Sequence, residues 1–212
     1  MEKFEALYTD EALESAIADA FDYREAFSDP LKKVTVGLRQ FVARETTEVI
    51  VAQRLKRMPQ ILSKLQRFPT MRLSQMEDIG GCRAVLSGGA SEVAGVVRRI
   101  RRNWSVIDTL DYVREPKPTG YRALHVIVER DGRMIEIQLR SPKQHEWAEA
   151  VERAAGRSGY ALKDGDGPSE LIEYFRQAAY ALALEELGEP VDEGFDRRFE
   201  NLRDQVRPYF WG

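Results

Sequence analysis

The chain has 212 residues, 43% of them hydrophobic and 9% aromatic, with a formal net charge of −3, which is enough for one substantial domain with a real core. No apolar run reaches the roughly 18 residues that span a bilayer, and the start, "MEKFEALYTDEALESAIADAF", is acidic and amphipathic rather than a secretory leader. A single cysteine, Cys82, excludes an internal disulfide framework and, with two histidines, argues against a zinc site, so the expected compartment is the cytoplasm.

Helical periodicity opens the chain. Residues 10 to 22 predict a helix with Leu13, Ile17, Ala20 and Phe21 on one face. From about Asp29 to Lys56 the spacing of Leu31, Val34, Leu38, Phe41 and Val42 predicts a longer helix, while the β-branched run "TTEVIVAQRLK" makes a strand the competing reading at its end. A helix started by Pro59 should run through "QILSKLQRF" and stop before Pro69. The period then changes to two. "CRAVLS", "WSVIDTL", "RALHVIVER" and "RMIEIQLR" predict strands, the last pair joined by a hairpin at Asp131-Gly132. A helix capped by Ser91 should cross between the first two. Three more follow: one with Pro142 near its start and Gly156 at its end, one from Ser169 to Gly188, and one in the last twenty residues before a tail. The pattern is one α/β domain, a mixed sheet flanked by helices.

Charge is unevenly spread. Residues 30–72 carry ten Lys or Arg against two Glu, whereas 1–29 and 164–205 are acidic. Such blocks are either solvated helix faces or a phosphate-handling surface. Three segments favour phosphate. In and just after "RLKRMPQILSK", Arg54, Lys56, Arg57, Lys64 and Arg67 gather around a helix start, where backbone N–H groups also attract anions. In "EDIGGCR", Asp78 precedes a Gly-Gly pair, a common way to offer an oxygen ligand to Mg²⁺, and Gly80 and Gly81 would let a ligand approach the backbone. In "IEIQLR", Glu136, Gln138 and Arg140 alternate with Ile135, Ile137 and Leu139, so the polar set shares one strand face. Two carboxylates among several cations suit phosphoryl-type transfer.

Together, "RLKRMPQILSK", "DIGGCR", "DYVREPKPTGYRALH" and "EIQLRSPKQHEWA" resemble, in order and separation, the synthetase domain of RelA/SpoT-type alarmone synthetases across residues 30–160. The resemblance implies a nucleotidyltransferase-like mixed sheet of about five strands. It places an acidic N-terminal helical extension at 1–29 and a C-terminal helical extension at 161–212 on the same domain. It also implies Mg²⁺-dependent transfer of the β,γ-pyrophosphate of ATP to a 3′-hydroxyl. Carried over, Arg54 and Arg83 resemble the guanidinium pair that sandwiches adenine, and Lys56 and Lys64 the triphosphate-binding lysines. Asp78 is similar to the principal metal ligand. Glu136 is similar to the second acid, as metal ligand, base for the 3′-hydroxyl, or both. The loop would bind the acceptor, with Tyr121 stacking on its base and Lys117, Arg122 and His125 on its phosphates, while Gln138 and Arg140 line the same cleft. Gln60 and Ser141 depart from the Ser and Thr common in relatives.

No His-Asp dipeptide occurs, so the hydrolase domain of the long bifunctional relatives is expected to be absent, and no C-terminal regulatory region is expected. Three readings then compete: a synthetase of guanosine or adenosine alarmones, a toxic small alarmone synthetase acting on the 3′-CCA end of tRNA, and an inactive nucleotide- or RNA-binding module. "MEDIGGCRAVL", "RRIRRNWSV" and "LKDGDGPSELIEYF" resemble the toxic group more closely. A tRNA acceptor needs basic surface beyond the cleft, for which Lys32, Lys33, Arg39, Arg98, Arg99, Arg101 and Arg102 are the candidates. The tRNA reading is therefore the one the sequence favours. In a toxin, the acidic C-terminal third would either pack on the domain or dock an antitoxin protein.

Overall fold

The computed structural model describes residues 10–46 and 49–211. Helix α1 (Asp10–Glu25) leads into α2 (Ser28–Val42), which ends well short of Lys56. The expected long helix is therefore corrected: the β-branched run Val49-Ile50-Val51 belongs to strand β1 (Val49–Leu55). Next come α3 (Met58–Arg67), β2 (Gly80–Leu86), α4 (Gly89–Asn103), β3 (Ser105–Asp111), β4 (Leu124–Arg130) and β5 (Arg133–Arg140). Helices α5 (Pro142–Ser158), α6 (Ser169–Leu187), α7 (Phe195–Val206) and α8 (Pro208–Trp211) complete the chain. No helix among the described residues is long and apolar enough to cross a membrane.

The sheet has the order β1-β2-β5-β4-β3. Only β2 and β5 run parallel; the other neighbours are antiparallel. The β4–β5 hairpin turns on Asp131 and Gly132, both at positive φ (53° and 72°), as a two-residue primed turn requires.

One sheet face is the core. Cys82, Ala84 and Leu86 of β2, Val126 and Val128 of β4, and Ile135, Ile137 and Leu139 of β5 pack against Leu31, Val34 and Leu38 of α2 and Val96 and Ile100 of α4. Gly80 belongs to this face. A Cβ there would come within 2.9 Å of Ile135 and 3.2 Å of Phe27, so this glycine serves packing, not the expected approach of a ligand. A second apolar cluster joins α5 (Trp147, Ala148, Val151, Ala154) to Tyr121 and Ala123 and to Leu171, Phe175 and Ala179 of α6. The Trp147 indole N–H locks this layer by donating to the Phe175 carbonyl (2.7 Å).

Several helix ends differ from expectation. The N-cap of α4 is Gly88, whose N–H donates to the Glu92 carboxylate, while the Ser91 hydroxyl donates to the Gly88 carbonyl. Helix α5 begins with a capping box of Ser141 and Gln144, passes through Gly156 and stops at Gly159, where φ is 77°. Pro168, not Ser169, precedes α6, and Gly188 closes it in the left-handed conformation. On α1, Ile17 and Phe21 are 46% and 50% exposed, so the apolar stripe expected there is not buried in this chain; the Leu13 side chain lies outside the described residues.

Candidate active site

Alternation puts Glu136, Gln138 and Arg140 of β5 on the face away from α2 and α4. The register aligns Gly81 and Arg83 of β2 with Glu136 and Gln138, and His125 of β4 with Gln138. Arg54 pairs with Gly81 across β1–β2. These residues floor the candidate cleft, flanked by α3, whose Lys64 reaches Asp78, and by α5 with the 112–121 loop, where Glu149 meets Arg83 and Trp147 meets Tyr121. A Cβ at Gly81 would lie 3.8 Å from the Glu136 carboxylate, so this glycine keeps the floor open beside the acid.

Asp78 stands just before β2. Lys56, following β1, and Lys64, on α3, reach its two oxygens at 2.6 and 2.9 Å. Lys56 lies in the two-residue link between β1 and α3 and Lys64 within α3, so the break ahead of Pro59 lets both lysines converge on one carboxylate. Burial pushes the Asp78 carboxyl up, but the two ammonium groups outweigh it and hold the group below the ordinary aspartate range.

Glu136 is held differently. His125 Nδ1 lies 2.8 Å from one oxygen and Gln138 Nε2 donates to the other at 2.6 Å. Burial pushes Glu136 up; the bonds from His125 and Gln138 more than offset that, despite repulsion from Asp78, and leave it below the ordinary glutamate range. Both acids are therefore ionised at neutral pH, close enough to repel each other. Among the described residues no three His, Cys, Asp or Glu side chains form a metal cage. Two hard oxygen donors fit Mg²⁺ nonetheless, since that ion takes one or two carboxylates and completes its shell with water and substrate phosphates.

The remaining candidates divide. Arg54 is exposed, and Arg83 lies 3.6 Å from Glu149 of α5 with its Nε buried and unpartnered. The Lys117 ammonium sits over the rings of Tyr112 (4.7 Å) and Tyr121 (5.4 Å). Tyr121 is not the open stacking platform the sequence suggests. It is 5% exposed, tucked against Trp147 and Tyr112, with the Arg140 guanidinium 5.3 Å from its ring centre. His125 is likewise buried between Tyr121 and Glu136 instead of facing phosphate-accessible space. Arg122 turns away, donating to the Val113 carbonyl (3.0 Å). Lys32, Lys33 and Arg39 on α2, and Arg98, Arg99, Arg101 and Arg102 on α4, ride on helices packed against the opposite sheet face. Lys33 pairs with Asp131 and Arg99 with Glu45. A cavity of about 690 Å³ is also on that far side, between α2 and Trp104.

Sequence reasoning missed the α5 wall. His145, Glu149 and Glu152 recur at i, i+4 and i+7, which was the available signal. Burial and the Arg83 guanidinium push His145 down, Glu149 meets both His145 and Arg83, and Glu152 pairs with Lys163. A second cavity of about 540 Å³, lined by Ile50, Val85, His145 and Glu149, opens beside this wall.

Residues 53–156 match the family described as the region found in RelA / SpoT proteins. An uncharacterised Mycobacterium tuberculosis protein is 29% identical over 126 residues, covering 59% of this chain and 46% of its own length. The GTP pyrophosphokinase YwaC of Bacillus subtilis is 28% identical over 141 residues, covering 59% of this chain and 64% of its own. The chain thus spans about half to two thirds of the length of these relatives. Among solved structures, a GTP pyrophosphokinase family protein from Streptococcus pneumoniae superposes with a TM-score of 0.62 at 25% identity, over 84% of this chain and 95% of that one. The small alarmone synthetase 1 of B. subtilis, bound to its product pppGpp, gives 0.63 at 20% identity, over 85% and 94%.

Proposed function

The chain is a RelA/SpoT-type protein with the fold of the small alarmone synthetases, and from that premise we propose that it is an ATP-dependent pyrophosphokinase acting on a 3′-hydroxyl. The observation that carries the reading is the pair of ionised acids, Asp78 just before β2 and Glu136 on its parallel neighbour β5, one clamped by two lysines and the other by a histidine and an amide.

On this reading, Lys56 and Lys64 leave Asp78 to neutralise triphosphate oxygens. Arg54 and Arg83 are diagonal neighbours on one face of the β1–β2 pair, a spacing on the order of 7–8 Å between Cα atoms, which leaves room for a base between two guanidinium planes. Asp78 and Glu136 would hold Mg²⁺, which when bound supplies positive charge at the reacting phosphate oxygens. The acceptor 3′-oxygen bonds to the β-phosphorus, the bond from that phosphorus to the α,β-bridging oxygen breaks, and AMP leaves. Glu136, ionised and fixed, is placed to take the hydroxyl proton. Lys117 and Arg140 supply cationic character on the acceptor side.

The acceptor best supported is a free purine nucleotide. The basic groups that led the sequence reading toward tRNA lie across the sheet from the cleft, so they do not extend its surface. The test offers the protein γ-labelled ATP with Mg²⁺ and, separately, GDP, GTP, AMP, ADP or deacylated tRNA. Label on a nucleotide is expected, lost in Asp78→Ala and Glu136→Ala variants that keep the wild-type circular dichroism. Label on tRNA would move the assignment to the toxic tRNA-modifying group, where an antitoxin partner is expected; no transfer to any acceptor would sink the pyrophosphokinase reading.

A further inference from the structure

The segment between α5 and α6 lies beyond residues 53–156, the span that matches the family, yet it touches each flank of the cleft. Leu162 anchors it, buried in the α5–α6 layer. Gly167, at φ of 152°, lets the chain fold back over that anchor, since a Cβ there would come within 2.8 Å of the Leu162 side chain. Asp164 pairs with Arg67 of α3, on the same helix as Lys64. Lys163 pairs with Glu152 of α5. A Cβ at Gly165 would lie 3.6 Å from Thr119 of the 112–121 loop. The segment is a strap, and Lys163 is the cation it carries into the cleft.

Burial pushes the Lys163 ammonium down, Glu152 pulls it up, and the positive charges of Arg140 on β5 and Arg54 on β1 push it down again. Burial pushes Glu152 up, and Lys163, Arg54 and Arg140 together more than offset this. Two strands and the strap thus bring three cations around one carboxylate of α5. Arg140 gives its hydrogen bonds to neutral groups, the Tyr121 hydroxyl and the Gln138 carbonyl oxygen, and keeps a buried Nε without a partner. Arg54 is exposed. Like charges gathered this way repel one another, and a phosphate, with several acceptor oxygens, answers such a cluster with short charge-assisted bonds. Glu152 stands to Lys163 as Asp78 stands to Lys56 and Lys64, a carboxylate holding a lysine ready at the cleft.

We propose that Lys163 is a further phosphate-binding residue of the cleft, one that exchanges Glu152 for a phosphate group of a nucleoside polyphosphate. The identity of the ligand rests on the pyrophosphokinase reading; the cation cluster does not.

Isothermal titration of ATP and, separately, GDP into the full chain in EDTA tests this. Lys163→Met should weaken binding of at least one of the two by about tenfold, and Lys163→Arg should restore it to within about threefold of wild type. Which nucleotide loses affinity tells whether the donor or the acceptor carries the phosphate that Lys163 meets. Glu152→Gln should tighten the same nucleotide by about threefold, because Lys163 no longer has to leave an ion pair. The opposite signs separate a ligand contact from a strap that only supports the fold, in which both variants would lose affinity. Wild-type affinity for both nucleotides in Lys163→Met would overturn the proposal, and so would a Glu152→Gln variant that binds no tighter than wild type. A chain that binds nucleotide through Lys163 but transfers no pyrophosphate would sink the function reading and keep this one. Pyrophosphate transfer with unchanged binding in Lys163→Met would do the reverse.

Discussion

Replacing Asp78 with Asn should have opposite effects on nucleotide binding with and without metal. In the structure Lys56 and Lys64 spend their charge on Asp78, at 2.6 and 2.9 Å, with the three side chains 14%, 23% and 27% exposed. Before either lysine can grip a triphosphate, its bridge must open. Fully exposed pairs are worth up to about 1 kcal/mol and breaking a buried one several. These sit between, so about 1 kcal/mol each is reasonable, and two together correspond to about thirtyfold in affinity. Asp78→Asn removes that competition and a like charge from the phosphates. Isothermal titration of ATP in EDTA should therefore show the variant binding tighter than wild type by roughly that factor. With Mg²⁺ present the advantage should vanish, because the metal has lost a ligand. An Asn variant that binds metal-free ATP no better than wild type would refute the idea that the two lysines are held in reserve by Asp78.

Both acids also bear on stability. Asp78 and Glu136 are held below their ordinary values of 3.8 and 4.5, so each contributes stability that is present above those values and is lost as pH falls through the lower folded ones. Acid melts should show wild type losing Tm below about pH 4.5 and Asp78→Asn losing less; parallel curves would contradict this. Gly120→Ala should destabilise by about 2–3 kcal/mol in urea melts. The residue has φ of 89°, and a Cβ there would come within 2.7 Å of Ala179 and 3.1 Å of the Arg176 backbone. Burial pushes the Cys82 thiol up to about 12, so a disulfide reagent at pH 8 should modify it only when the sheet opens. Rapid labelling of the native protein would count against that burial.

The last strand was legible because period-two alternation survives in it, down to the split of Glu136, Gln138 and Arg140 from Ile135, Ile137 and Leu139, whereas β4 is buried on both faces over four residues and β3 shifts register between Val106 and Asp108. The first strand was half hidden: its β-branched residues follow directly on helix-compatible spacing, and only pairing along β2 decides the matter. The helix start at Gly88 went astray because the Glu92 side chain, not the nearest serine, completes the cap, and the end at Gly159 because the later of two glycines is the one that turns left-handed, its N–H meeting the Ala155 carbonyl. The identities of the two acids and the lysine pair were readable as chemistry. Their partners were not, since His125 and Tyr121 look like ligand-facing groups until packing turns them inward. The charge blocks misled for a related reason: sequence counts cations but does not say which side of a sheet they occupy.

The Asp131-Gly132 turn has a consequence for parity. His125 on one strand and Glu136, Gln138 and Arg140 on the other all lie within one hairpin, and all have the same evenness relative to that turn. A slip of one residue in a strand sends each side chain to the opposite face. Inserting or deleting a single residue in the turn would thus drive a carboxylate, an amide and a guanidinium together into the apolar layer under α2 and α4, and lift Ile135, Ile137 and Leu139 into water. The two residues at positive φ are the clasp that keeps the hairpin's chemistry on the side where a nucleotide can reach it.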